Sequence, residues 1–156
     1  MDSATEFNKP GPNKRVCAFL IDWVIGQIIG IAGLVYPWTW LLASVFILGK
    51  DCFEGQSPGK RFVGTRVVDE ENRPASSSQT MIRNIFMVIP LFPIVEYLVM
   101  RNEELGRRIG DQAAKTKVND LKPEVSDANY LWISVLVFAG ILFVHFGSAA
   151  WVLNRV

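Results

Sequence analysis

Four hydrophobic segments alternate with charged, polar segments along the chain. They lie at about residues 16–35, 36–53, 81–100 and 130–153. The first is long enough to cross a bilayer as a helix, and the last carries no formally charged residue along its length. The pattern therefore predicts an all-α membrane protein, a small polytopic helical bundle.

The third hydrophobic segment is interrupted by Pro90 and Pro93, which break the helical hydrogen-bond ladder near its middle. A single kinked span would place the basic residues of 101–122 across the membrane from the other basic loop. A re-entrant helical hairpin would return them to the cytoplasmic side, where basic residues concentrate. Charge counting favours re-entry, with the non-helical backbone covered by protein or water.

Two short stretches in the polar loops, residues 65–68 and 115–118, have strand-like composition. They can pair in a small amphipathic sheet at the membrane surface only if both loops lie on one side, which is a second argument for re-entry. The alternative is that both are ordinary loops. We expect a short β-like element in the cytoplasmic loops, and no longer repeat is evident along the chain.

The charge balance narrows the classes of partner. The 156 residues include 16 Lys and Arg against 15 Asp and Glu, and 50% of the residues are hydrophobic. Nucleic-acid-binding surfaces are strongly one-signed, so we expect no nucleic-acid partner and instead the lipid bilayer. No clear cleavage site follows the first hydrophobic segment, which is expected to stay as an anchor with the N-terminus in the cytoplasm.

Asp22 lies inside the first hydrophobic segment, where a charge is costly unless it is paired or hydrated. Arg15 lies seven residues earlier and so on the same face of a helix. Such residues can form an ion or proton site, or they can hold helices together as a purely structural pair. The sequence leaves both interpretations open.

Four ordered motifs resemble those of the RDD family of small membrane proteins. An R-x-x-A-x-x-x-D motif runs from Arg15 to Asp22, and a PGKR-x-x-G-x-RVVD motif fits the loop at 58–69. An RN pair stands at 83–84, and an R-x-GD motif ends at Asp111. The family is named for one arginine and two aspartates, which the resemblance assigns to Arg15, Asp22 and Asp111.

The resemblance covers residues 14–119 and implies a membrane domain there, in a bacterial cytoplasmic (inner) membrane. Residues 1–13 are then a flexible N-terminal tail, and 130–153 form an additional C-terminal transmembrane helix beyond the resemblance. The family is mostly regarded as a transport family, and some members are associated with sodium/proton antiport. Its motifs imply a charge network at the cytoplasmic end of the bundle, serving as an ion or proton site or as structure, with these members: Arg15, Asp22, Arg83, Arg108 and Asp111.

Two further polar residues are candidates for a transport pathway. Gln27 adds a polar group to the first segment, and Glu96 follows both prolines of the third. Family members often carry an acid just before the first proline of this segment, where this chain has Ile89. The acid nearest to that position here is Glu96, beyond both prolines. The simpler interpretation of Glu96 is that its carboxylate reaches out to the nearby loop.

The first segment also carries a small-residue face suited to close helix packing, formed by Gly26, Gly30 and Gly33. Packing can occur within the subunit or between subunits. Because one protomer has few helices to enclose a pathway, we expect a homo-oligomer or a partner membrane protein.

The leading functional hypothesis is a small ion or solute transport module, with cation/proton exchange as one form of it. The alternative is a membrane scaffold or accessory subunit in which the arginines and aspartates are purely structural. No nucleophile–base pair, metal-ligand cluster or phosphate-binding glycine loop is evident, so we expect no enzyme, no cofactor and no metal.

Overall fold

The structure is a computed structural model that describes residues 7–31, 36, 38–88 and 92–153. Helices dominate these residues, and two short strands lie between them. The helices and strands are, in chain order, α1 Pro12–Ile31, α2 Trp38–Gly49, α3 Pro58–Val63, β1 Thr65–Asp69, α4 Ser77–Asn84, α5 Phe92–Asn102, α6 Ile109–Ala113, β2 Thr116–Asp120 and α7 Asp127–Leu153. A short 3₁₀ helix, Ile85–Val88, continues α4.

The long helix α1 is the centre of the helical packing, since it contacts α2, α3 and α7. Cys17 and Ala18 of α1 form a small buried apolar cluster with Val63 and Tyr130. The helix α2 ends at Gly49, four residues earlier than the predicted segment, and the chain turns there. The turn places the charged residues 50–51 beside the short helices rather than along α2.

A helical fold with a small sheet was predicted, and the structure confirms it. Among the residues that the structure describes, no helix is both long enough and apolar enough to cross a membrane. The membrane part of the predicted fold class is therefore not confirmed here and stays a prediction.

The two strands pair as the loop composition predicts. β1 and β2 form an antiparallel sheet in which Thr65 lies opposite Asp120 and Val67 opposite Val118. Both valines are fully buried, so hydrophobic packing under the sheet supports the pairing. Because the two loops form one sheet, they lie at the same end of the molecule.

Residues 7–11, which precede α1, belong to the folded part. Asp120 donates its backbone N–H to the carbonyl of Asn8 at 2.8 Å, and Asn8 donates its own N–H to Asn119 Oδ1 at 2.7 Å. The predicted boundary between a tail, 1–13, and a domain beginning at residue 14 falls inside α1, and the segment before α1 is already hydrogen-bonded to β2 at Asn8.

The third hydrophobic segment consists of two helical halves. α4 and its 3₁₀ extension form the first half and α5 forms the second, and both halves contact α6. Residues 89–91, including Pro90, lie outside the described residues, whereas Pro93 lies in the first turn of α5, where proline is tolerated. Both halves of the third segment therefore meet at α6, and whether the segment re-enters or crosses a membrane stays a prediction.

Candidate functional site

Asp111 is the centre of a cluster of buried charges. It lies in the first turn of α6, is fully buried, and accepts the backbone N–H of Arg108 at 3.1 Å. Three guanidinium groups surround its carboxylate, at 2.7 Å from Arg83 Nη2, 2.9 Å from Arg15 Nη2 and 3.5 Å from Arg108 Nη2. Burial alone would raise the pKa of Asp111, but the three arginines hold it far below its usual value. The carboxylate therefore stays ionised.

A second cluster forms around Asp51, immediately after α2. Lys60 Nζ lies 2.5 Å from Asp51 Oδ1, and Asn84 donates to Asp51 Oδ2 at 3.2 Å. Arg83 Nη1 lies 3.8 Å from the same oxygen, so Arg83 links Asp51 to Asp111. Burial lowers the pKa of the Lys60 ammonium to about 8, although Asp51 opposes that shift.

Asp22 has different partners. Lys50 Nζ lies 3.0 Å from Asp22 Oδ2, and the backbone N–H of Gly59 donates to Asp22 Oδ1 at 2.8 Å. The expected convergence is thus only partial: Arg15, Arg83 and Arg108 meet around Asp111, whereas the described contacts of Asp22 are with Lys50 and Gly59. The seven residues between Arg15 and Asp22 span about 10 Å along a helix, too far for a direct pair.

Glu96 is buried within the same region, and its carboxylate meets the segment 108–110 rather than solvent. Its side chain is 1% exposed. Arg108 Nη1 donates to Glu96 Oε2 at 3.2 Å, and the backbone N–H of Gly110 donates to Oε1 at 3.2 Å. The start of α6 covers Glu96, which makes this acid a member of the charge network.

Asp22 and Glu96 are held by equivalent chain segments. The α3–β1 segment and the α6–β2 segment align 51 residues apart, so that Gly59 corresponds to Gly110 and the strands Thr65–Asp69 and Thr116–Asp120 correspond throughout. An added Cβ would lie 2.1 Å from a backbone carbonyl oxygen at both glycines, that of Ala18 at Gly59 and that of Arg83 at Gly110. The residue before each strand, Gly64 or Lys115, has a positive φ. A degenerate repeat is therefore present, although none was evident from the sequence.

The glycine face of α1 packs within the chain at its first position. A Cβ on Gly26 would meet Phe46 and Ile47 of α2 at ordinary contact distance, and Gly30 is buried as well. Gly33 lies outside the described residues. Gln27 is half-buried and does not line the cavity described next.

A cavity of about 580 Å³ lies between α1, α5 and α7, beside the charge network. Its walls are mainly apolar, with side chains such as Phe19, Tyr97 and Val135. Its charged lining consists of Arg15, Lys50, Lys60, Arg83, Arg108, Asp22 and Glu96. Asp51 and Asp111 are not among the lining residues and lie behind it. The volume falls in the usual range of small-molecule sites.

Sequence reasoning did not identify several network members as site residues, namely Lys50, Asp51, Lys60 and Asn84. It also missed the separate buried pair of Lys14 and Asp120, whose Nζ–Oδ2 distance is 2.7 Å. One signal was available for three of them. Lys60 belongs to the PGKR motif, Asn84 to the RN motif, and Asp51 interrupts the end of a hydrophobic segment. Which acid would pair with which base was set by the tertiary fold.

These features define a helical protein with a buried ion-pair network next to an apolar cavity. The model of the RDD family matches residues 28–153, and the chain belongs to this family. Domains of this family are typically membrane-associated. The matched range includes α7, which the sequence resemblance had left outside, and it begins after Arg15 and Asp22. Comparison with curated proteins and with solved structures gave no match.

Proposed function

We propose that this chain is an integral membrane module that moves a small ion or solute, acting as an oligomer in the cytoplasmic membrane with its N-terminus inside. Large apolar side chains on the outer faces of α2, α5 and α7 support the membrane location. Examples at least half exposed are Leu41, Leu42, Ile94, Leu98, Trp132, Leu136 and Phe138. So much exposed apolar surface is expected where lipid or another subunit covers it.

The cavity beside the charge network carries the transport proposal. It combines a volume of about 580 Å³ with charged residues in its lining, as a solute site requires. Asp22 and Glu96 are the carboxylates that line it. Asp111 is not a candidate for proton exchange, because three arginines keep its pKa far below the physiological range.

Cation/proton exchange, one form of this function, would use the Asp22–Lys50 pair. An entering cation would compete with the Lys50 ammonium for the carboxylate, which accepts a single ammonium at 3.0 Å. One positive charge would then replace another at Asp22.

A scaffold or accessory subunit is the second candidate, and one observation favours it. Asp111 joins three parts of the chain through side-chain contacts: α1 by Arg15, α4 by Arg83 and its own helix by Arg108. A network of this kind holds helices together without moving anything.

The test is proton flux in proteoliposomes with an imposed pH gradient, on adding sodium, lithium or potassium. We expect Asp22→Asn to remain assembled and to lose cation-dependent flux, whereas Glu124→Gln, an exposed change outside the network, keeps it. Wild-type flux in a well-folded Asp22→Asn protein would exclude Asp22 as the exchange site. If the wild type moves neither protons with these cations nor a labelled anion, the transport proposal is wrong and the scaffold is favoured.

A further inference from the structure

Arg83 has unsatisfied donors in the wall of the cavity. Its side chain is 1% exposed, and neither Nε nor Nη1 has a hydrogen-bond partner among the described residues. Arg108 Nε is in the same condition. Both arginines line the cavity. Buried charged donors without close acceptors are costly, so an anionic group brought to this end of the cavity could gain hydrogen bonds from these arginines.

The charges that face the cavity favour an anion. Five basic side chains line it, Arg15, Lys50, Lys60, Arg83 and Arg108, against the two carboxylates of Asp22 and Glu96. Asp51 and Asp111, which lie behind the lining, compensate part of this excess of positive charge. Together with the seven charged lining residues they make nine charged groups, of which five are basic and four are acidic. One positive charge therefore remains uncompensated, and the basic side chains line the cavity while two of the acids lie behind it. This arrangement suits a phosphate or carboxylate group.

The rest of the cavity suits an alkyl chain. Ile94 of α5 and Leu131 and Val135 of α7 line it, and yet these side chains remain 59%, 46% and 48% exposed. The cavity is therefore continuous with the exposed apolar surface between α5 and α7. An apolar passage that ends at a cluster of basic groups matches a molecule with one acidic head and one apolar tail.

We propose that the cavity binds an anionic membrane lipid, with its phosphate on Arg83, Arg108 and Lys60 and an acyl chain between α5 and α7. This inference rests on the proposed function, because it requires that the chain lie in a membrane. It names the class of ligand for the same cavity, a lipid held as a bound component of the module.

Lipid retention tests the proposal directly. The full chain is incorporated into nanodiscs of equal phosphatidylglycerol and phosphatidylcholine, extracted into detergent, and analysed by native mass spectrometry. We expect phosphatidylglycerol to be retained at least about tenfold more than phosphatidylcholine. Both lipids carry a phosphate, but the choline ammonium would meet the basic side chains that line the cavity, whereas the glycerol headgroup carries no cation. Val135→Trp, which fills the apolar part of the cavity, should abolish the retention. The matched control is Leu136→Trp on the same helix, since Leu136 is 72% exposed and does not line the cavity.

Equal retention of the two lipids by the wild type would overturn the proposal, and this comparison does not depend on any variant folding. Competition distinguishes a lipid from a free anion. If inorganic phosphate displaces phosphatidylglycerol as effectively as a short-chain phosphatidylglycerol does, the site takes the anion alone and the lipid assignment is wrong. Lipid selectivity without ion or solute flux would contradict transport and leave the lipid site intact, whereas flux without lipid selectivity would contradict only the lipid.

Discussion

The α3–β1 and α6–β2 segments are two versions of one arrangement, and they differ at the residue after the shared glycine. In both, a glycine N–H donates to a buried carboxylate, Asp22 in the first and Glu96 in the second. The next residue is Lys60 in α3 and Asp111 in α6. Lys60 pairs mainly with one acid, whereas Asp111 gathers three arginines.

This difference in charge separates two roles within one fold. A carboxylate among three fixed guanidinium groups cannot change its protonation state near neutral pH, so the Asp111 cluster holds helices in place. A lysine whose pKa lies at about 8 can change its protonation state under mild conditions. We therefore expect the α3 side of the arrangement to respond to protons and the α6 side to contribute mainly to stability.

The largest expected effect follows from Asp111→Asn, which removes the acid that neutralises three buried arginines. We expect the free energy of unfolding to fall by about 3–5 kcal/mol, because the change leaves buried charge uncompensated. Denaturant unfolding in detergent micelles measures it. Glu71→Gln is the control, since the Glu71–Arg73 pair is exposed. Unchanged stability of Asp111→Asn would show that Asp111 does not hold the helices in place.

The next effect tests whether the two glycines are equivalent. Gly59→Ala and Gly110→Ala each place a Cβ 2.1 Å from a backbone oxygen, so we expect both to lower the free energy of unfolding by about 1–3 kcal/mol. Gly140→Ala in α7 is the matched control, because a Cβ there meets nothing within 4 Å. It should be neutral or stabilising by about 0.5–1 kcal/mol. A large effect at only one of the two glycines would break the equivalence.

A smaller, pH-dependent effect is expected from Lys60. Its pKa falls from 10.5 to about 8 on folding, so between these values the unfolded chain binds more protons than the folded chain. Stability from this group must then rise as the pH rises through that window. We expect the wild type to show this positive slope relative to Lys60→Met, measured by thermal unfolding from pH 7 to pH 10. Parallel curves for the two proteins would mean that Lys60 keeps an ordinary pKa.

The sequence predicted the sheet, because strand pairing here depends on local composition. Val67 and Val118 have the residue type that a paired, half-buried strand needs, and that type is visible in the chain. Arg83, Arg108 and Asp111 were found through motif spacing. The partners were harder to predict, because a carboxylate such as Asp22 pairs with whichever base the fold brings near.

Glu96 shows the same limit. Its position near the end of a hydrophobic segment indicated a side chain that reaches solvent, yet the backbone of α6 covers it. The degenerate repeat was equally hard to see. The aligned segments share a glycine and a T-x-V-x-D pattern, and the charge at the position after the glycine is reversed. The two segments therefore share the backbone contact at the glycine and the paired strands, although most of their side chains differ.

The smallest expected effect compares the last residues of the two strands, Asp69 and Asp120. Asp69 pairs with Arg73, whose side chain is 71% exposed, whereas Asp120 pairs with the fully buried Lys14. Water and salt screen the exposed pair, so Arg73→Ala should leave the unfolding midpoint unchanged within measurement error at neutral pH. Lys14→Met in α1, which removes the partner of Asp120 on β2, should lower it clearly, since the Asp120 carboxylate would lose its buried ammonium. If Arg73→Ala proves as destabilising as Lys14→Met, then burial does not distinguish the two strand ends.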